Sequence, residues 1–336
     1  MLYDIISVFI IKYYTVFLQI RLLRSREDTE GYIIRKNIST GVVMSFISYL
    51  IKGISLGSVY SIIALGYTMV YGIAKMLNFA HGDVIMVGGY IIFIMMSTMG
   101  LNPFIAILAS IIFCTVLGVT IERVAYKPLR KASSLAVLIT AIGVSYLLQN
   151  VALLIFGADT KSFTSAITVP TLKLAEGRLP ISGSTIVTIP ACIAIMIVLS
   201  IFIKKSKTGR AMLAVSEDKD AAVLMGVDVN KTIAITFAIG SALAAVASLL
   251  MFSSYPSLSS TSGSMPGIKA FVAAVFGGIG SIPGAMIGGI LLGVIEILSR
   301  AYISSQLADA IVFLILILVL LVKPTGILGK KLHEKV

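Results

Sequence analysis

Few residues in this chain have the chemistry of a reaction centre, and those few sit in apolar surroundings. The segment Asn78-Phe79-Ala80-His81-Gly82-Asp83 sets an imidazole and a carboxyl on either side of a glycine. Such a pair can line or gate a path for a polar solute. It can equally be the polar end of a helix at a membrane surface. Glu296 and Arg300 stand four residues apart, the spacing at which opposite charges meet on one helix face. Lys269 opens an apolar run just after a turn, where an interfacial position is expected. Cys114 and Cys192 lie within apolar runs, where a thiol packs rather than reacts. His81 and His333 are far apart and neither cysteine has a close histidine, so no metal-ligand spacing is present. No GxxxxGKS/T phosphate loop occurs, so the chain itself is not expected to hydrolyse ATP. One usable histidine gives no support to a Ser/His/Asp enzyme.

The elements that must position these groups are apolar helices. Of 336 residues, 58% are apolar and only 12% are charged, a balance that excludes an ordinary soluble domain. Several runs of about 20 apolar residues fit membrane-crossing helices. They do not alternate as the strands of a membrane barrel would. The expectation is an all-α, polytopic membrane bundle of about eight spans, with broken or re-entrant helices among them. The net charge of +12 then belongs in cytoplasmic loops beside anionic lipid, and is no argument for nucleic acid.

Residues 1–43 stand apart: Ile5–Leu18 is broken by Lys12 and followed by the mixed-charge stretch Arg21–Lys36. No cleavable signal pattern fits; the stretch is an extra weak span, an interfacial helix or no part of the working protein, and a working start at Met44 is the expectation. Residues 44–329 then form the membrane domain and 330–336 a cytoplasmic tail. The first span, about Phe46–Ile73, carries Gly53, Ser55, Gly57, Ser58 and Ser61, small residues suited to close helix contact. The short basic stretch Glu122–Lys131 reads as cytoplasmic, and the lightly charged loop Gly157–Gly183 as external. With the lysine-rich end inside, residues 268–299 must return to the outside, either by crossing twice or by dipping in and coming back. Their centre, Gly277–Gly289, holds Gly277, Gly278, Gly280 and Gly284 and is the expected break between two half-length helices. Those glycines serve either a solute-lined break or helix packing alone.

The longest charged run between two apolar segments is Lys204–Lys231, with six basic and four acidic side chains. Within it Ser216 is placed to cap a short helix, Glu217, Asp218 and Asp220 suit its first turns, and Gly226 its end. Ala221, Leu224 and Met225 fall at i, i+3 and i+4 and give one small apolar face. A short amphipathic helix held outside the membrane by two spans is a shape that a partner can grip in a groove.

Three stretches, Gly53–Tyr90, Thr208–Leu250 and Phe276–Leu298, together resemble the permease subunits of bacterial branched-chain amino acid ABC importers, the H-type subunit more than its M-type sister. The likeness runs from about Met44 to Gly329, so residues 1–43 lack a counterpart. In such importers a cytoplasmic loop carries an EAA…G motif that docks on the ATPase. Asp220-Ala221-Ala222 followed by Gly226 is similar, with Asp in place of Glu, and the rest of that motif is not clear here. The resemblance implies an ATPase-coupling role for Asp220, Ala221, Ala222, Leu224, Met225 and Gly226, with Ala222→Glu expected to break the contact. It also implies a second permease subunit, two ATPase subunits that bind ATP and magnesium, and an extracytoplasmic substrate-binding protein. On this reading the chain is a transport subunit of the bacterial inner membrane and holds no cofactor. Leucine, isoleucine and valine are the implied cargo, although relatives of this family carry urea, short amides or other amino acids. An ion-coupled transporter or channel would place ionisable groups deep in its spans, and a sugar-type permease is the nearer rival.

Overall fold

The computed structural model describes residues 29–329 apart from 131, 163–164 and 175–178, with side chains from Gly41 onward. Ile5–Leu18 and the tail 330–336 lie outside the described residues. Among the described residues, seven helices are long and apolar enough to cross a membrane, and two shorter apolar helices accompany them. The described residues are all-α apart from one small hairpin, β1 (Leu172–Leu174) against β2 (Leu179–Ile181).

Helix α1 (Thr29–Ala74) runs without interruption across Met44, so the boundary expected there falls inside one helix. It is the central column. Helix α10 (Ile282–Tyr302) packs along it through small residues on both sides. A Cβ on Gly57 would meet Ile290 Cα at 2.6 Å, and one on Gly53 would meet Val294 Cα at 2.8 Å. Ser61 donates to the Met286 carbonyl at 2.8 Å. Backbones this close gain dispersion contacts that lipid cannot replace, which is the usual driving force for helix association in a bilayer.

Helix α2 (His81–Phe93) continues as a π-turn, Ile94–Thr98. Helix α3 (Pro103–Ile121) is capped by Asn102, whose side chain accepts from the Phe104 amide, with Pro103 at its first position. The stretch Glu122–Leu129, expected as a loop, instead prolongs α3 by a π-turn and a 3₁₀ turn. Helices α4 (Ser134–Phe156) and α5 (Gly183–Lys205) are full spans. At their far end come α6 (Lys207–Glu217) and α7 (Lys219–Leu224), then the long α8 (Val229–Ser254). Helix α9 (Ser264–Gly277) has only 14 residues, roughly 21 Å at 1.5 Å per residue. Helix α10 leads back from it, and α11 (Ala308–Val322) closes the bundle.

Two sets of contacts fix the ends of the bundle. Lys219 donates to the Ala74 carbonyl at 3.0 Å, and Arg130 bonds Asn230, so the basic segments after α1, α3, α5 and α7 gather at one end. By the positive-inside bias that end is cytoplasmic. At the other end residues 161 and 258 pair as a β-bridge and Ser184 bonds the Ser253 carbonyl.

Candidate functional site

Just past the cytoplasmic end of α1 the chain reverses. Lys75 takes φ +58°, a left-handed conformation that opens the turn. Residues 75–80 then run back up beside α1. Tyr126, carried by the π-turn after α3, donates to Asn78 Oδ1 at 2.9 Å and to the Leu77 carbonyl at 3.3 Å, and so holds this strap. Helix α2 begins only at His81, whose ring lies against Gly66 and meets Tyr67 edge-on at 4.8 Å. Gly66 is eight residues before the end of α1, or about 12 Å up its axis. The segment 78–83 thus straddles an interruption: residues 75–80 form the break, and His81, Gly82 and Asp83 are the first turn of a helix that starts inside the membrane.

Helix α9 starts at the same depth. A Cβ on Gly82 would meet the Gly263 carbonyl oxygen at 2.5 Å and Gly267 Cα at 3.0 Å, and one on Gly267 would meet Gly82 Cα at 2.8 Å. Three glycines thus let two helix beginnings touch, α2 leaving toward the outer end and α9 toward the cytoplasmic end. Broken helices of this sort persist at membrane depth where protein or a water-filled cavity satisfies the freed backbone. Around the contact, Phe79 and Tyr67 pack on Phe271 with ring centres 5.4 and 5.9 Å apart. The Tyr67 hydroxyl and the His81 ring are both fully buried beside this contact, the hydroxyl close to Gly82 and Gly267. Asp83 is buried, and Gln149 of α4 donates to its Oδ1 at 3.0 Å.

The glycines of the second half lie elsewhere. Gly278 (φ +106°) and Gly280 (φ +94°) form the tight turn between α9 and α10, conformations that a side chain would strain. Gly277 and Gly284 press each other's backbone across that hairpin, and Gly288 packs on Ala273. This turn lies at the cytoplasmic end, against Gly72 of α1 and the segment 326–329. The structure therefore brings Phe79, His81 and Asp83 up against α9, leaves Asn78 on the strap against Tyr126, and separates them all from Gly277, Gly278, Gly280 and Gly284, which lie at the far end of α9. The expected break at Gly277–Gly289 is a corrected point. It is a helix hairpin, α10 is full length, and the mid-membrane start of α9 falls at Gly263. Gly263 and Gly267 went unnoticed in the sequence because their role depends on meeting Gly82, some 180 residues away.

Lys269 is a second correction. It is not interfacial but buried in α9, donating to Glu296 at 2.8 Å and to Asp309 at 2.6 Å. Glu296 also pairs with Arg300 on its own helix and accepts from the Tyr60 hydroxyl at 2.9 Å. This network ties α9 to α1, α10 and α11. Glu122 is likewise buried and paired, with Arg130 as its partner.

At the cytoplasmic end the short helix is built differently from the sequence expectation. Ser206 caps α6, which runs through Ser216 because Met212 and Val215 bury one of its faces. Ser216 caps nothing; its hydroxyl donates to the Leu213 carbonyl. Asp218 is the cap of α7, accepting from the amides of Asp220 and Ala221 at 3.0 Å each. Gly226 ends it at φ +81°. Ala222 turns inward and is buried, while Leu224 and Met225 are 87% and 84% exposed beside exposed Ala221 and Val223. A charge at Ala222 would therefore strike this chain's own packing first. Lys219, half-buried, has its pKa lowered by desolvation and by nearby Arg130 and Lys75.

The family described as branched-chain amino acid transport system / permease component matches residues 49–320. The chain belongs to this permease family. It is 45% identical over 309 residues to the high-affinity branched-chain amino acid transport system permease protein LivH of Salmonella typhimurium, covering 87% of this chain and 98% of that one. LivH of Escherichia coli K12 is 44% identical with the same coverage. The permease protein BraD of Pseudomonas aeruginosa is 44% identical over 88% of this chain and 99% of its own. No solved structure matches. The permease is a multi-pass protein of the inner membrane with a transport rather than an enzymatic role, and its family works in multi-subunit transport systems.

Proposed function

We propose that this permease forms one half of the translocation path of an ABC importer for branched-chain amino acids. Separate ATPase subunits drive it with ATP and magnesium, a second permease subunit completes the pore, and an extracytoplasmic binding protein delivers the cargo. The chain itself holds no cofactor. The names of its relatives support the cargo.

The observation that carries the mechanical part is α7. Its ends are set by a side-chain cap and a left-handed glycine, and its tip presents Leu224 and Met225 to water. Two large apolar side chains left that exposed on a short rigid helix form a knob for a groove. Lys219 ties this helix to the last carbonyl of α1, from which the strap 75–80 leads to the start of α2. A push on α7 is thereby delivered to α1 and to the mid-membrane contact between α2 and α9. Asp220 and Ala221 lie on the exposed side and join the docking face, whereas Ala222 holds α7 to the body.

The test is Leu224→Glu/Met225→Glu. These side chains touch little of their own chain, so membrane abundance should stay normal while co-purification of the ATPase subunits and ATP-driven uptake are lost. Normal uptake by the stably inserted variant would remove the docking role.

A further inference from the structure

The buried carboxyl groups of this chain are not treated alike. Glu122 is paired with Arg130, and Glu296 with Lys269 and Arg300. Asp83 is as deeply buried, yet among the described residues no lysine, arginine or histidine forms an ion pair with it. An ionisable group inside a membrane ordinarily pairs or faces a water-filled path. Two side chains of α4 cover Asp83: Ser145, whose hydroxyl bonds its carboxyl, and Gln149, whose Nε2 lies 3.0 Å from Asp83 Oδ1, 3.1 Å from Ser145 Oγ and 3.1 Å from Ser264 Oγ. A side-chain amide has only two hydrogens to donate. Three acceptors compete for them, so Gln149 can leave one without losing all its bonds.

Helix α4 itself is unusual on the other side of that contact. It is the least buried of the spans. At 100° per residue, Ser145, Gln149, Tyr146 and Asn150 fall within roughly 140° of arc. The opposite flank, with Leu147, Val151 and Leu154, is apolar. Tyr146 is 62% exposed. Asn150 is exposed, and among the described residues its amide bonds only the Tyr146 carbonyl of its own helix. These positions begin about 16 Å from the cytoplasmic end of α4 and stop about 9 Å short of the other, well within a hydrocarbon core of about 30 Å. The Tyr146 hydroxyl and the remaining hydrogen-bonding groups of the Asn150 amide would find no partner in hydrocarbon there, which disfavours a lipid-facing position. Leu147, Val151 and Leu154 are suited to lipid; Tyr146, Gln149 and Asn150 are suited to water and a polar solute.

We infer that the Tyr146–Gln149–Asn150 flank of α4 is a wall of the aqueous cargo path, and that Gln149 yields to let Asp83 receive the ammonium group of an amino acid. The ammonium supplies the positive charge that Glu122 and Glu296 have from their neighbours and that Asp83, among the described residues, does not. The cargo class rests on the function proposed above; the path wall does not.

The whole transporter in proteoliposomes, with Cys114 and Cys192 of this chain replaced by alanine, can decide it through single cysteines read by water-soluble thiosulfonates. Tyr146→Cys and Asn150→Cys should react at least about tenfold faster than Leu147→Cys and Leu154→Cys, because the reactive thiolate forms only where water reaches. Leucine delivered by the binding protein should slow that reaction. A trimethylammonium reagent should outpace a sulfonate reagent at Asn150→Cys by about threefold or more, as a carboxylate nearby would cause. Asp83→Asn, which keeps a hydrogen-bond acceptor for Gln149, should abolish that preference. Equal labelling of both flanks, or of neither, would overturn the path wall and leave the proposed cargo intact. Protection by urea and not by leucine would overturn both the ammonium step and the amino acid cargo. A charge preference that survives Asp83→Asn would remove Asp83 from the path.

Discussion

The cytoplasmic knob and the mid-membrane contact are both made of short helices with abrupt ends, but they are built by opposite means. Helix α7 is a local object: its cap, its stop and its apolar tip lie within nine residues, Asp218 to Gly226. The contact between α2 and α9 is wholly non-local, since Gly82, Gly263 and Gly267 have meaning only for one another. A partner-facing lever can be specified by its own segment because water and the partner are its only surroundings. A break inside the membrane needs other parts of the chain to satisfy and support it. The two regions should therefore fail differently when altered.

The largest effect is expected where the non-local region is pinned. Lys269→Met takes the buried lysine from Glu296, which keeps Arg300 and the Tyr60 hydroxyl, and from Asp309, and loss of one member of a buried pair costs about 3–5 kcal/mol. Abundance in the membrane and thermal stability in detergent should both collapse. A variant with normal stability would show that the network is not what seats α9. Next comes Gly82→Val, which drives side-chain atoms into the Gly263 carbonyl and Gly267 and should cost roughly 1–3 kcal/mol or more. Thermal unfolding should register it together with lost uptake; retention of both would mean that the two helix beginnings need not touch. The smallest effect belongs to the local region. Asp218→Ala removes two hydrogen bonds at the cap of α7 and should cost about 1 kcal/mol within that helix. Global stability should be unmoved while ATPase affinity and uptake fall by a few fold. A global loss of stability would erase the distinction between the two regions.

The same contrast sets what the sequence could show. The spans are legible because each is a long apolar run, and the first, expected to end near Ile73, ends at Ala74. Gly226 was legible as a stop because the left-handed turn is a property of glycine itself. The cap of α7 was misplaced from Asp218 to Ser216 because both are capping types. The choice was made by Met212 and Val215, whose burial carries α6 two residues further. Lys269 was misread because the partners that keep it buried, Glu296 and Asp309, are 27 and 40 residues away. The polar residues of 78–83 are legible as such; that Asn78 meets Tyr126 while Asp83 meets Gln149 is not, because both partners are distant in the chain. The polar flank of α4 passed unnoticed, since Tyr146, Gln149 and Asn150 are unremarkable until their depth and exposure are known.

The measurement that bears most directly on the account is ATP-dependent uptake of radiolabelled leucine into proteoliposomes holding this chain, its sister permease, both ATPases and the binding protein. Isoleucine, valine and urea would compete in parallel. The account predicts uptake that requires ATP, is blocked by isoleucine and valine, and is indifferent to urea. Transport of urea or a short amide with no leucine uptake would contradict the amino acid cargo, and uptake that proceeds without the ATPases would contradict the importer mechanism itself.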